Sequence, residues 1–442
     1  MSASDINDAS NMPNTKMVDD QLVYPKGIKL TVIVLALVMG IFLASLDMTI
    51  VATAIPRITD EFHGLDKVSW YGAAYFMTNG GLQSSWGKAY RYFSLKYTFL
   101  ASIFFFELGS LICALSKDST TFIIGRAING LGGAGIGTGA YTIIAFVAEP
   151  AKRATLTGFV GMSFGIACVA GPLIGGVFSD KVSWRWCFWI NLPIGGLSAL
   201  IILFFFQTPA AAKPVVAPWK EILLQMDPVG VTLVMGALVC FMLALENGAR
   251  SLWSSSLVVG LLVGFVVITI VFIVWEYFQG ERAILVPRLI SKRPIWTSCG
   301  FVFTFVGAYY LIIYYFPIYF QSVGNSSPTM SGVYNLPLII ANSIAMILSG
   351  MAVSATGHAV PIQVVGTVIG IISSGLLYML DIDTGLDKWI GYQILAGVGW
   401  GLAFQIPIIM GQANADPEDV SSVTAMILCE LTLITPFIRP SS

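Results

Sequence analysis

The sequence predicts an all-α polytopic membrane protein, and three observations carry that prediction. Of its 442 residues 56% are hydrophobic and only 11% are charged, against roughly 25% charged in an ordinary soluble domain. The mean hydropathy is +0.81, so most of the chain belongs in an apolar solvent. Apolar runs long enough to cross a bilayer core of about 30 Å, roughly 20 residues each, follow one another along the chain. Lipid offers no partner to backbone N–H and C=O groups, so such runs must be helical. They are apolar on every side, which excludes barrel strands, whose residues alternate over about 10 positions.

Hydropathy places spans near residues 30–52, 70–88, 97–115, 121–146, 155–178 and 184–206. A polar connection containing Lys213, Pro214, Pro218 and Lys220 follows, then two spans at about 228–246 and 256–276. Four more fall at about 295–320, 333–353, 361–380 and 389–412, and a thirteenth apolar stretch begins near 421. With the amino terminus inside, the inner loops collect Lys88, Arg91, Lys96, Lys152, Arg153, Lys213, Lys220, Arg282, Arg288, Lys292 and Arg293. The other side holds Arg57, Lys67, Lys117, Lys181, Arg185, Arg250 and Lys388. This asymmetry predicts a cytoplasmic amino terminus and puts the sequon at Asn325 outside. Residues 1–27, rich in Asp, Asn and Ser and lacking the form of a cleavable leader, read as a disordered cytoplasmic tail. The stretch Gly130-Leu-Gly-Gly-Ala-Gly in span 4 is echoed by Gly397-Val-Gly-Trp-Gly in span 12. Chance and a true repeat are both open. A repeat would make spans 9 onward a second copy of spans 1–6, with spans 7 and 8 inserted, an arrangement that builds transporters with a site between halves.

Polar groups stranded in these runs are the candidates for chemistry. Asp47 lies about two-thirds of the way along span 1, where a charge costs on the order of 3 kcal/mol or more unless it faces a polar interior. Such a group suits proton binding and release; a helix-end aspartate in extracellular water is the alternative. Glu107, mid-span 3, has no basic residue within a turn, and proton carriage and structural hydrogen bonding are both open. Arg126 opens the glycine-rich stretch of span 4. Buried, it needs an acid from another helix, and Asp47 is the candidate; otherwise it snorkels to the interface. Protonating that acid would weaken the pair and bias the molecule between two access states. Asn79 and Gln83 in span 2, Tyr310 and Tyr314 in span 9, Asn342 in span 10 and Gln405 in span 12 are substrate-pathway candidates. Sparse polar groups among aromatics suit a largely apolar organic ligand, although tyrosines also anchor helices at interfaces.

Composition excludes several functions. A net charge of -1 leaves no basic face for a phosphate backbone, so nucleic acid is not an expected partner. The nearest approach to a phosphate loop, Gly81 to Gly87-Lys88-Ala89, has the wrong spacing and no hydroxyl after the lysine. His63 and His358 lie in loops, and the six cysteines show no metal-ligand spacing, so no metal, catalytic residue or enzyme activity is expected. The expected partners are the lipid bilayer, protons and a small organic substrate. The expected energy source is a proton gradient with no cofactor, and the expected state is a monomer.

Three motifs then resemble those of fourteen-span drug:proton antiporters of the major facilitator superfamily. They are Leu46-Asp-Met-Thr-Ile-Val-Ala-Thr-Ala-Ile-Pro-Arg-Ile in span 1, Gly125-Arg-Ala-Ile-Asn-Gly-Leu-Gly-Gly-Ala-Gly-Ile in span 4, and Gly165 through Gly171-Pro172-Leu-Ile-Gly175-Gly176 in span 5. The likeness runs from about residue 28 to about 428 and is nearest to fungal toxin-efflux pumps. The loop after span 2 reads Gly87-Lys88-Ala-Tyr-Arg91-Tyr-Phe-Ser-Leu-Lys96. Arg91 stands where the wider superfamily has Asp, which puts that family's gating ion pair in doubt here. Asn129 stands where Gln is usual, and joins the substrate-pathway candidates. The resemblance implies the major facilitator fold, with two pseudo-symmetric six-helix halves and two inserted spans. Its divisions would be 28–206 for the N-terminal half, 207–280 for the linker with the extra spans, and 281–442 for a C-terminal half of about five spans, the last span missing. It implies export of small amphipathic organic molecules, whether toxin, drug or secondary metabolite, in exchange for protons by alternating access. Uptake of an organic solute such as an iron chelate, and an inactive truncated product, are the alternatives. The expected location is the plasma membrane, with a vacuolar or vesicular membrane as the other choice.

Overall fold

The computed structural model describes residues 24–64, 67–250, 253–323, 328–381 and 384–433, and these form helices with no strand. Thirteen principal helices follow in order. They are α1 (Ile28–Phe62), α2 (Val68–Tyr92), α3 (Leu95–Leu115), α4 (Ser119–Val147), α5 (Pro150–Lys181), α6 (Asn191–Phe205), α7 (Pro228–Arg250) and α8 (Ser256–Gln279). After these come α9 (Arg293–Ser322), α10 (Leu336–Thr356), α11 (Ala359–Tyr378), α12 (Leu386–Ala413) and α13 (Val420–Leu433). Among the described residues eleven helical stretches are long and apolar enough to cross a membrane. Helix α2 falls outside that set because it carries Thr78, Asn79, Gln83, Ser84 and Lys88, all buried inside the bundle. The sequon at Asn325, residues 1–23 of the tail and residues 434–442 lie outside the described residues.

Local chemistry sets several helix ends. Asp118 caps α4 by accepting from the Thr121 N–H at 2.9 Å and the Thr121 hydroxyl at 2.7 Å. Those two bonds hold its carboxyl below the usual range, as expected for an N-cap aspartate. Gly357 closes α10 in the left-handed region, φ 71°, where a side chain would be strained. Three spans are less regular than hydropathy implies. A separate turn, Trp186–Trp189, precedes α6; a π-helical turn, Val302–Val306, interrupts α9; and α12 breaks at Gln405 between Leu386–Phe404 and Ile406–Ala413. Breaks of this kind free backbone groups and reorient side chains, which hydropathy averages away.

Helices α1–α6 form one bundle and α9–α13 another. Between them in sequence, α7 and α8 pack on each other and α7 leans on α2, while α8 stays exposed along nearly its whole length. The bundles meet along two seams, α5 on α10 and α2 on α13. Small residues make both seams possible. On α5, Gly158 faces the Met346 carbonyl and Gly165 faces the Ser343 hydroxyl, and on α10 Gly350 faces the Ala154 carbonyl. On α2, Gly87 lies against Ala425 and the Ser421 backbone, and the Cys429 thiol meets the Gly80 carbonyl at 3.4 Å.

Alternation of the helices puts Lys88, Arg91, residues 149–153, residues 281–293 and residues 416–419 at one end of the molecule, here called the basic end. Both seams begin there. At this end Arg91 of α2 pairs across the bundles with Asp419 and Glu418, whereas the pairs at the opposite end stay within one bundle. There, Glu61 accepts from Arg185 at 2.8 and 3.0 Å and from the Trp184 indole at 2.7 Å, and Arg57 faces Asp180 at 3.6 Å.

Candidate transport site

The central feature of the N-terminal bundle is a buried ion pair. Asp47 of α1 and Arg126 of α4 are 0% and 1% exposed, and the Arg126 guanidinium donates to Asp47 Oδ2. These burials rule out both the helix-end aspartate and the snorkelling arginine. The remaining valences of the pair are met by neighbours. Arg126 Nε donates to the Tyr71 carbonyl at 3.1 Å, and its guanidinium lies over the Tyr75 ring, 4.6 Å from the centroid, an arrangement that favours a desolvated cation. Asp47 Oδ1 accepts from Asn191 Nδ2 at 3.2 Å, and Asn191 also donates to Ser110 Oγ at 3.0 Å. Five helices of the bundle therefore hold one pair.

Two residues grouped with the substrate pathway lie in this interior instead. Asn129 sits on the face of α4 turned to α3 and donates to Ser110 Oγ at 2.8 Å and the Phe106 carbonyl at 3.0 Å. Asn79 approaches the Tyr75 hydroxyl at 3.5 Å, and Tyr75 in turn donates to the Ala44 carbonyl. Their amides extend the Asp47 network on either side because α3 and α4 approach closely, the Gly109 Cα facing Asn129 directly. Glu107 of α3 is separate. Neither of its buried carboxylate oxygens has a hydrogen-bond partner among the described residues. One faces Gly195 of α6, and the group stands within Coulomb range of Asp47.

A second cluster straddles the bundles. Gln405, at the break in α12, reaches across to donate to the Tyr141 hydroxyl of α4 at 3.2 Å and lies against Gly161 of α5. Phe164 of α5 stacks on Phe404, centroids 6.1 Å apart, and meets Tyr310 edge-on at 6.4 Å. Tyr309 packs against Phe404 and Trp400. The hydroxyls of Tyr309 and Tyr310 and the Gln405 carbonyl oxygen are buried without a partner among the described residues. Gln83 of α2 donates to Thr138 at 3.1 Å and leaves its own oxygen unpartnered. Asn342 has both amide atoms buried and unpartnered, on the α10 face where Gly397 and Gly401 bring α12 close. These atoms are polar positions set among aromatic rings where the two bundles meet. Tyr314 lies on α9, and its side chain is outside the described residues.

The antiporter-motif residues divide by face. Gly165 belongs to the seam between bundles, whereas Gly171 and Gly175 pack inside the N-terminal bundle against Thr49 and against Thr53 and Ile50 of α1. Gly176 faces open space, and Pro172 is exposed. At the basic end, Arg91 joins an ion-pair network between the bundles. Arg91 donates to Asp419 at 2.9 Å and faces Glu418 at 3.7 Å; Asp419 is shared with Arg288 at 2.9 Å; and Arg288 also holds Glu281 at 2.8 Å. Those two acids hold Arg288 above its usual range, Glu281 contributing most. Lys88 donates to the carbonyls of Arg282 and Glu281. Lys96 makes no ion pair among the described residues.

Comparison with known proteins decides the family. The Major Facilitator Superfamily profile matches residues 37–429. The chain belongs to the Major Facilitator Superfamily. It is 58% identical to the MFS-type transporter grgE of a Penicillium species over 93% of this chain and 73% of that protein. It is 51% identical to the probable efflux pump gsfJ of Penicillium aethiopicum over 91% of this chain and 72% of that protein. The crystal structure of the human organic anion transporter MFSD10 superposes with a TM-score of 0.63 at 13% identity, covering 93% of this chain and 92% of that one, a likeness of fold.

As a superfamily member the chain is a multi-pass membrane transporter, and several of its site residues carry no signal in sequence. Asn191, Ser110, Tyr75, Tyr141, Phe164 and Phe404 are ordinary residues in apolar runs. Only Asn191, an amide directly before Leu-Pro in span 6, stands out even in retrospect.

Proposed function

We propose that this transporter exports small amphipathic organic molecules in exchange for protons, as a fourteen-span drug:proton antiporter does, and that Asp47 is the coupling acid. The observation that carries this is the Asp47–Arg126 pair, fully buried and held by three further residues, Tyr71, Tyr75 and Asn191. A buried pair is a weak source of stability, because desolvation offsets its Coulomb attraction. A pair that is broken and remade by one proton is an effective switch. Protonated, Asp47 no longer holds the guanidinium. Arg126 keeps only the Tyr71 carbonyl and the Tyr75 ring, and the tie from α1 through Asn191 to α6 loosens. The cluster of Phe164, Tyr310, Phe404, Gln405 and Tyr141 offers aromatic faces and a few unpaired polar atoms to the cargo. Glu107 is a second proton holder beside the pair.

With the amino terminus cytoplasmic, the basic end faces the cytoplasm and the two closed seams belong to an outward-facing state. The protein acts as a monomer in the plasma membrane. Cells loaded with a fluorescent amphipath test this reading. Expression should lower retention, a protonophore should restore it, and Asp47→Asn should behave as the empty vector. Retention indifferent to the protonophore would overturn proton-coupled export.

A further inference from the structure

Away from the Asp47 site, a second pair of buried acids lies where the inserted helices meet the gate. Asp227 immediately precedes α7 and Glu276 lies in the last turn of α8; they are 2% and 6% exposed. Each carboxylate has one oxygen accounted for. Asp227 Oδ1 accepts from the Gly230 N–H at 3.0 Å and from the Trp275 indole at 2.9 Å, and Glu276 Oε2 accepts from the Leu285 N–H at 2.8 Å. The other two oxygens, Asp227 Oδ2 and Glu276 Oε1, are buried, have no donor among the described residues, and both face Gly230.

Two adjacent ionised carboxylates repel, and one proton between them turns that repulsion into a hydrogen bond. No cation lies within ion-pair distance of either acid among the described residues. Lys88 of α2 faces the pair, and Arg91 and Glu281 in turn stand within Coulomb range of Lys88. Arg282 is occupied by Glu221 of the helix Trp219–Gln225, at 2.6 Å. Lys88 is within Coulomb range of both acids, but its ammonium is bonded to the carbonyls of Glu281 and Arg282.

We propose that Asp227 and Glu276 bind one proton between them, forming a second proton site built on the inserted helices and set against the Lys88 side of the gate. The proton comes from water at the basic end and returns there. Its release leaves two charges beside Lys88 and tightens the hold of α7 and α8 on α2, and its uptake relaxes that hold. The site is independent of cargo and of Asp47.

Infrared difference spectra of the purified full chain, taken between acid and alkaline pH, test it. Among the protonated-carboxyl bands, which include those of Asp47 and Glu107, one component should be lost in Asp227→Asn and the same component in Glu276→Gln, because one proton has two owners. The introduced amide can donate to the surviving carboxylate, so both variants should fold. Tryptophan emission is the second readout, since the Trp275 indole bonds to Asp227. The pH-dependent component that Trp275→Phe removes should also be absent in Glu276→Gln, and Lys88→Met should move its midpoint to higher pH, because a cation favouring the ionised pair is removed. A full set of carboxyl bands in either acid variant, or a Trp275-dependent emission step unaffected by Glu276→Gln, would overturn the proposal.

Discussion

The two bundles divide their polar residues by kind. The N-terminal bundle buries charge: Asp47, Arg126 and the carboxylate of Glu107. Among residues whose side chains are described, the C-terminal bundle buries no charged group between its helix ends; it buries Asn342, Gln393 and Gln405 among Tyr309, Trp400 and Phe404. The division teaches where each part of the work is done. A proton can bias an equilibrium only through a group whose interactions change on protonation, and among the described residues of the two bundles the acids buried between helix ends, Asp47 and Glu107, lie in one of them. On the proposed function, contacts for cargo would come from both bundles, which would make cargo binding sensitive to how they sit against each other.

The largest test of that division removes the charge. Arg126→Ala leaves Asp47 buried without its cation and should destabilise the protein by about 3–5 kcal/mol, read as earlier unfolding in detergent. Replacing both partners, Asp47→Asn with Arg126→Leu, should recover most of that stability. Export by the double variant reconstituted in liposomes should not respond to a pH gradient. Recovery of coupling along with stability would place the switch elsewhere.

A smaller effect is expected at the gate. Asp419 is the one acid shared by Arg91 and Arg288, and it is 2% exposed. Asp419→Asn removes two charge-assisted bonds while Glu418 and Glu281 retain one arginine each. The closed arrangement at the basic end should lose about 1.5 kcal/mol, roughly a tenfold change in its population. Distances between spin labels on α2 and α13 report this directly. No change in the distance distribution would mean that the glycine seams, and not the charges, hold the end shut.

What was legible in the sequence follows from the same physics. Asp47 and Arg126 stand out because a charge within an apolar run is costly enough to demand an explanation. Their pairing was the economical answer, and the geometry agrees. Helix number and order were legible because each span must repeat the same apolar length. Asn79 and Asn129 were assigned to the pathway because an amide announces its polarity but not the direction in which its helix faces. Arg91 was a doubt because a motif records residue types at one strand of a contact; its partner Asp419 lies 328 positions away. Tyr141, Phe164 and Phe404 were invisible, since aromatics in membrane helices are common and only the meeting of two bundles makes these three a site.

The smallest predicted effect sharpens the comparison from the other side. Gln405 of the C-terminal bundle bonds to the Tyr141 hydroxyl across the divide, as Gln412 does to the Tyr141 carbonyl, and it sits at the break in α12. Gln405→Leu removes that bond and the unpaired carbonyl oxygen, keeping similar bulk. One neutral hydrogen bond is worth about 0.5–1.5 kcal/mol, so the apparent KM for a polar-tipped amphipath should rise roughly two- to tenfold. The proton requirement should be untouched, because no charged group of the N-terminal bundle is altered. Measuring transport rate against cargo at two imposed pH gradients separates the outcomes. A change in KM at constant gradient response keeps cargo and coupling apart. A weakened gradient response would mean that the Gln405–Tyr141 bond transmits the switch, and α4, which carries both Arg126 and Tyr141, would be the element that joins the two functions.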